Sequence, residues 1–214
     1  MTRLVGGSLE ERFNNQLAEA ARVTSDSLVR RERKHLETVR SVAFTAGVVP
    51  AVTAGDAPTL QRLIEPLAAN DGVERVEILD AMGRRVYGAR IGDYSALTYA
   101  PLVGDPTDRG SWPSVQAVLS GKRDDKGDKF AQIVPTPDGY ALYTAGPLYD
   151  GDRLAGIVIV GSLLQSFLPA AKSEALADIT IYDIDGTPLA STFASVDPAE
   201  ADLAPGPDAL ADAA

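Results

Sequence analysis

Two carboxylates stand two positions apart at the end of an alternating apolar run, Ile179-Thr180-Ile181-Tyr182-Asp183-Ile184-Asp185-Gly186-Thr187. At a strand tip, one aspartate of such a pair can attack phosphorus while the other moves a proton, and both can share a magnesium ion. The same residues also suit a tight bend, because an Asp side chain bonds turn backbone and Gly accepts positive φ.

An internal repeat separates the two readings. The stretch V-E-I-L-D-A-M-G-R-R-V-Y (76–87) falls without gaps on I-T-I-Y-D-I-D-G-T-P-L-A (179–190). Asp80 meets Asp183, Gly83 meets Gly186, and Val76, Ile78 and Val86 meet Ile179, Ile181 and Leu189. In the first copy Met82 and Arg84 replace the second aspartate and the threonine, so the copies share only what a hairpin needs. D-x-D-G-T resembles the motif of haloacid dehalogenase-like phosphatases, whose enzymes also need a lysine, a further acidic pair and a parallel sheet beyond it. No lysine follows Thr187. The pair is expected to be a turn, with a phosphatase built on Asp183 and Asp185 as the alternative.

Other chemistry is poorly provided for. Cysteine is absent, which removes disulfides, thiolate catalysis and cysteine metal sites. The single histidine, His35, sits in R-R-E-R-K-H-L-E and is expected on a solvated helix face. One histidine excludes the His-rich zinc sites and H-E-x-x-H. The segment K-R-D-D-K-G-D (122–128) lacks the spaced oxygen ligands and closing glutamate of an EF-hand. No cofactor, metal or catalytic activity is expected. A net charge of −10 over 214 residues opposes nucleic acid and anionic membrane surfaces. No apolar run reaches the ~20 residues of a membrane span, and the Met1 end lacks the layout of a secretory signal.

The elements that must position any site are readable from periodicity. Apolar and small residues at Leu9, Phe13, Leu17, Ala20, Leu28, Leu36, Val39 and Ala43 predict one long helix over 9–49, capped by Ser8 and ended by Pro50. Asp56 and Pro58 open a second helix, bent at Pro66. Strands are expected at 73–80, 84–87, 129–134, 140–149 and 154–161, the last an unbroken apolar run suited to the centre of a sheet. Regular pattern is lost from Gly88 to Gly127, except for a short helix at 113–119. Residues 163–177 read as a helix leading into the second hairpin, and the acidic, proline-rich stretch 195–214 reads as poorly ordered. The fold class is α+β with a central antiparallel sheet of about five strands. The organisation is an N-terminal helix (1–55), a sensor-like module (56–177) and the start of a second module (178–214).

This arrangement resembles the Cache family, the PAS-like extracytoplasmic sensors of bacterial chemoreceptors, histidine kinases and cyclases. The resemblance runs over about 9–192 and rests on the long helix, A-G-D-A-P-T-L-Q-R-L-I-E-P-L, the first hairpin, S-V-Q-A-V-L-S-G-K and A-L-Y-T-A-G-P-L-Y-D-G-D-R-L-A-G-I-V-I-V-G. The second hairpin makes it similar to the double-Cache layout. The resemblance implies a membrane-anchored parent, a homodimer through the N-terminal helix, and a small ligand between the sheet and the covering segment 88–127. A carboxylate or amino acid would need a guanidinium fork and aromatic walls. Tyr99, Arg109, Trp112 and Tyr143 are the candidate ligand contacts, with Tyr94 nearby; Pro113 stands where amino-acid-binding relatives have a second aromatic. The plainer alternative for Arg109 is pairing with Asp105 or Asp108 at the surface.

Overall fold

A computed structural model describes residues 3–102, 108–125 and 127–193, with side chains from Asn15 onward; Asp105 and the stretch 195–214 lie outside them. Helix α1 runs Arg3–Ala43, beginning upstream of Ser8 and stopping before the expected Pro50. Pro50 instead falls in the first turn of a separate helix, α2 (Val48–Ala54), where a missing N–H leaves no bond unmade. Helix α3 (Ala57–Asp71) is capped by Asp56, whose carboxylate accepts from the Thr59 N–H at 3.1 Å.

The main sheet has six antiparallel strands: β1 (Arg75–Asp80), β2 (Arg85–Asp93), β3 (Thr98–Pro101), β4 (Phe130–Thr136), β5 (Gly139–Asp150) and β6 (Arg153–Leu163), in the order β3-β2-β1-β6-β5-β4. The expected count of about five missed β3, a four-residue edge strand within a Gly- and Asp-rich stretch. Helix α4 (Pro113–Leu119) matches its expected span. The fold is α+β.

Period-two alternation sends the sheet's side chains to two separate cores. On one face Val76, Ile78, Val158 and Val160 pack with Val39 and Val42 of α1, with α2, and with Leu60 and Ile64 of α3. On the other, Leu79, Tyr143, Ile157 and Ile159 pack with Val115 and Val118 of α4. The central strands are covered on both sides, which is why β6 reads as a continuous apolar run. Each fully buried Leu or Ile contributes roughly 1.5–3 kcal/mol from its removal from water.

The solvated position expected for His35 is overturned. It is 1% exposed, with Nδ1 3.3 Å from Thr144 Oγ1 and Nε2 3.0 Å from Ser162 Oγ. Burial, reinforced by Arg31 and Lys34, pulls its pKa down to about 3. The charges around it in sequence point outward, while His35 shares the inward stripe of Val39 and Val42.

The chain divides into two compact units, one formed by Arg31–Leu163 and the other by the residues outside that range. The second holds the start of α1, helix α5 (Leu164–Ala175) and the paired strands β7 (Thr180–Tyr182) and β8 (Pro188–Ser191). The turns of the two hairpins have the same bonding. Asp80 Oδ1 accepts from the N–H groups of Met82 and Arg84 at 2.8 and 2.9 Å; Asp183 Oδ1 accepts from those of Asp185 and Thr187 at 2.9 and 2.8 Å. Gly83 and Gly186 take φ of 82° and 81°. Asp183 thus spends its carboxylate on the turn backbone.

Candidate functional site

The first turn does more than reverse the chain. Gly83 O accepts the N–H of Arg109 at 3.0 Å, and Arg84 bridges Asp108, so the segment leading into α4 is seated on the hairpin. A Cβ at Gly83 would stand 2.9 Å from Gly110 Cα, and only glycine allows this approach. Seated there, Arg109 reaches Glu77, which β1 places on the same face as Leu79.

Arg109 and Glu77 form a bidentate pair: Nε to Oε2 at 3.0 Å and Nη2 to Oε1 at 2.9 Å. Arg85 donates to the same carboxylate, Nη1 to Oε2 at 3.2 Å. Glu77 is fully buried and Arg109 is 4% exposed, so this pair lies in the interior; Asp105, one of the two surface partners considered for Arg109, lies outside the described residues. The Arg109 guanidinium lies 4.4 Å from the Trp112 ring centre, and that ring meets Tyr143 at 5.1 Å with a 52° tilt. Arg109, Trp112 and Tyr143, chosen from sequence, therefore come together. Tyr99 does not join them: it packs with the core on the other face, and its hydroxyl donates to Val73 O.

Beside Tyr143 stands its register partner Gln132, on edge strand β4. Gln132 Oε1 accepts the Ser114 N–H at 2.9 Å, which orients the amide. Two buried polar atoms here, Ser114 Oγ and Gln132 Nε2, make no hydrogen bond among the described residues, while the Tyr143 hydroxyl is drawn towards Arg75. Leaving such groups unpaired costs on the order of 1–3 kcal/mol each, which makes this face of the sheet a candidate for a polar ligand. Burial first, then the Glu77 carboxylate, push the Tyr143 hydroxyl up to about 12, while Arg75, through its charge and a side-chain hydrogen bond, and the charge of Arg109 act the other way. It stays protonated at neutral pH and able to donate.

Glu77, Gln132 and Ser114 were not singled out from sequence. Glu77 carried one signal, a carboxylate inside a hairpin strand that a longer apolar strand would have to flank. A depression of about 260 Å³ opens further along β1 between Arg75, Arg90, Tyr94 and Asp138, where Arg75 pairs with Asp138. Among the described residues no group of acidic or histidine side chains is arranged to hold a metal, and no helix is long and apolar enough to cross a membrane.

Comparison with known proteins agrees with this architecture. The family described as "Double sensory domain of two-component sensor kinase" matches residues 10–204, and the chain belongs to this double-Cache family. Among solved structures, the sensor domain of the Vibrio cholerae histidine kinase DctB is similar at 14% identity and a TM-score of 0.60, covering 96% of this chain and 76% of that one. The sensory domain of the Campylobacter jejuni chemoreceptor Tlp3 with isoleucine bound is similar at 12% identity and a TM-score of 0.57, covering 92% and 77%. The extracellular domain of a histidine-kinase candidate, vpHK1S-Z8, is similar at 13% identity and a TM-score of 0.63, covering 87% and 72%. At such identities the likeness shows the fold. No curated protein matches the chain.

Proposed function

We propose that this chain is the extracytoplasmic ligand-sensing part of a bacterial transmembrane receptor, a histidine kinase, nucleotide cyclase or chemoreceptor. A small molecule binds against the α4 face of the sheet, under the segment that begins at Asp108. The observation that carries this reading is that Ser114 Oγ and Gln132 Nε2, both buried, have no partner among the described residues on the α4 face that also carries Trp112 and Tyr143. The isoleucine-bound chemoreceptor domain with the same fold supports a small-molecule ligand.

The route out of the site runs through the sheet. Tyr143 faces α4, while its neighbour Thr144 faces α1 and meets His35. A ligand that tilts β5 therefore acts on α1 directly, provided it binds the two arrangements with different affinity. Helix α1, 41 residues long, carries half-exposed Leu17 and Val29, which suits packing on its twin in a dimer. A thermal-shift screen of small polar metabolites tests the reading. A hit that raises the melting temperature and is lost in Tyr143→Phe supports it; a hit unchanged in that variant moves the site elsewhere. Magnesium-dependent phosphatase activity abolished by Asp183→Asn would replace it.

A further inference from the structure

Resting on the sensor reading above, we infer that the site takes a small monocarboxylate at the Arg75 end of the same sheet face, where Asp138 of the β4–β5 turn holds the ligand's seat until it is displaced.

The arginine expected to meet a ligand carboxylate already has one: Glu77 fills the Arg109 fork with two bonds of 3.0 and 2.9 Å, closed from solvent. A second pair of guanidiniums is differently placed. Arg75 and Arg90 are register partners on β1 and β2. Both turn to one atom, Asp138 Oδ2: Arg75 Nη2 donates to it, and Arg90 Nη1 stands 4.0 Å away. The same row crosses the sheet through Gly161 to Tyr143, so this end belongs to the α4 face, and Arg75 also bonds the Tyr143 side chain. Asp138 comes from the two-residue turn between β4 and β5, a hairpin separated from β1 in the sheet by β6.

The two partners differ in their freedom to move. The Arg75 side chain is 2% exposed, so its charge requires an anion beside it, whereas that of Asp138 is 40% exposed and can exchange the guanidinium for water. The depression of about 260 Å³ adjoins them and has room for several carbon atoms, with Leu163 and the exposed Tyr94 in its wall. Its lining carries two guanidiniums and two carboxylates, Asp138 and Glu74, and Glu74 is held in place by the Leu163 N–H at 2.9 Å. Withdrawal of Asp138 leaves one positive charge, which favours an anion of single charge, and a carboxylate fits the planar guanidinium fork. Displacement also has somewhere to go. Strand β5 begins at Gly139, the residue after Asp138, and carries Thr144 against His35, so a freed turn loosens the strand that touches α1.

The test sets butyrate and benzoate against butyramide and benzamide on the intact chain at neutral pH, by calorimetry and thermal shift. The acids are expected to bind, the amides not. Asp138→Asn removes the competing charge: with the seat held by Asp138 about nine-tenths of the time, acid affinity rises about tenfold in this variant, and binding detected in the variant alone is the same result. Arg90→Gln, at a half-exposed position, is expected to weaken acid binding about tenfold with the unliganded melting temperature little changed. Amide hydrogen exchange at 136–139 is expected to quicken when butyrate binds, because the turn is released. Acid affinity that Asp138→Asn leaves unchanged or lowers overturns the inference, as does preference for the amides. A different ligand from the wider screen, lost in Tyr143→Phe but indifferent to Asp138→Asn and Arg90→Gln, overturns it too and leaves the sensor reading standing. If no compound binds either the native chain or Asp138→Asn, both fall.

Discussion

The ring of Tyr143 lies against Gly161, its register partner on β6, so closely that a Cβ at that glycine would stand 2.4 Å from the ring's Cε1. Gly161→Ala must therefore displace the ring or bow the strand. The expected loss is about 1–3 kcal/mol, the usual range for an overfilled core. In a Tyr143→Ala background most of that loss should disappear, because the two changes share one space. A double-mutant cycle by urea denaturation measures the coupling; simple additivity would show that the ring does not depend on the glycine.

The Arg109–Glu77 pair differs in kind from the ion pairs on α1. Arg109→Ala leaves a carboxylate with no exposure whose remaining cationic partner among the described residues is Arg85, and is expected to destabilise by about 3–5 kcal/mol. Arg22→Ala removes a guanidinium that is 63% exposed and should change stability far less. Chemical denaturation of the two variants side by side checks the contrast.

His35 makes stability fall in mild acid. The folded protein keeps it neutral down to about pH 3, whereas the unfolded chain takes up a proton near 6.5. Between these values the unfolded state binds the extra proton, so stability rises with pH and drops as pH falls through the window. The slope from this residue is on the order of 1.4 kcal/mol per pH unit. His35→Gln should flatten the difference curve between pH 6 and 4 by about that amount; parallel curves for the two proteins would show that the histidine protonates in place.

The two turn aspartates should be separable. Asp80→Ala and Asp183→Ala each remove two backbone bonds and are expected to cost about 1–2 kcal/mol, while the Asn variants, which keep an accepting oxygen, should cost less. Only Asp80→Ala should also weaken ligand binding, since only that hairpin seats Arg109. Equal effects on binding would break the link between turn and site.

Local chemistry made part of this legible in advance. The paired hairpins were readable because Asp and Gly do the same work in both, and α4 because proline opens it and Gly121 follows its end. What stayed hidden depends on partners distant in sequence. Strand β3 is four residues long and is a strand only because β2 offers it an edge. His35 reads as solvated until its partners Thr144 and Ser162 are known. Arg109 and Trp112 were found by residue type, but Glu77, which decides what Arg109 can do, lies in a different element and reads from sequence as the polar side of a ribbon. Tyr99 was grouped with them by proximity along the chain, and the alternation of the sheet sends it to the opposite core.

One glycine ties ribbon and cover together. Gly83 must bend the first hairpin and also let Gly110 pass at a distance no side chain permits. A sister protein bearing any larger residue at the equivalent of 83 must route its cover along another path, and would then present a different chemical taste. That single column of an alignment should divide such receptors into groups by what they respond to, before any of their ligands is known.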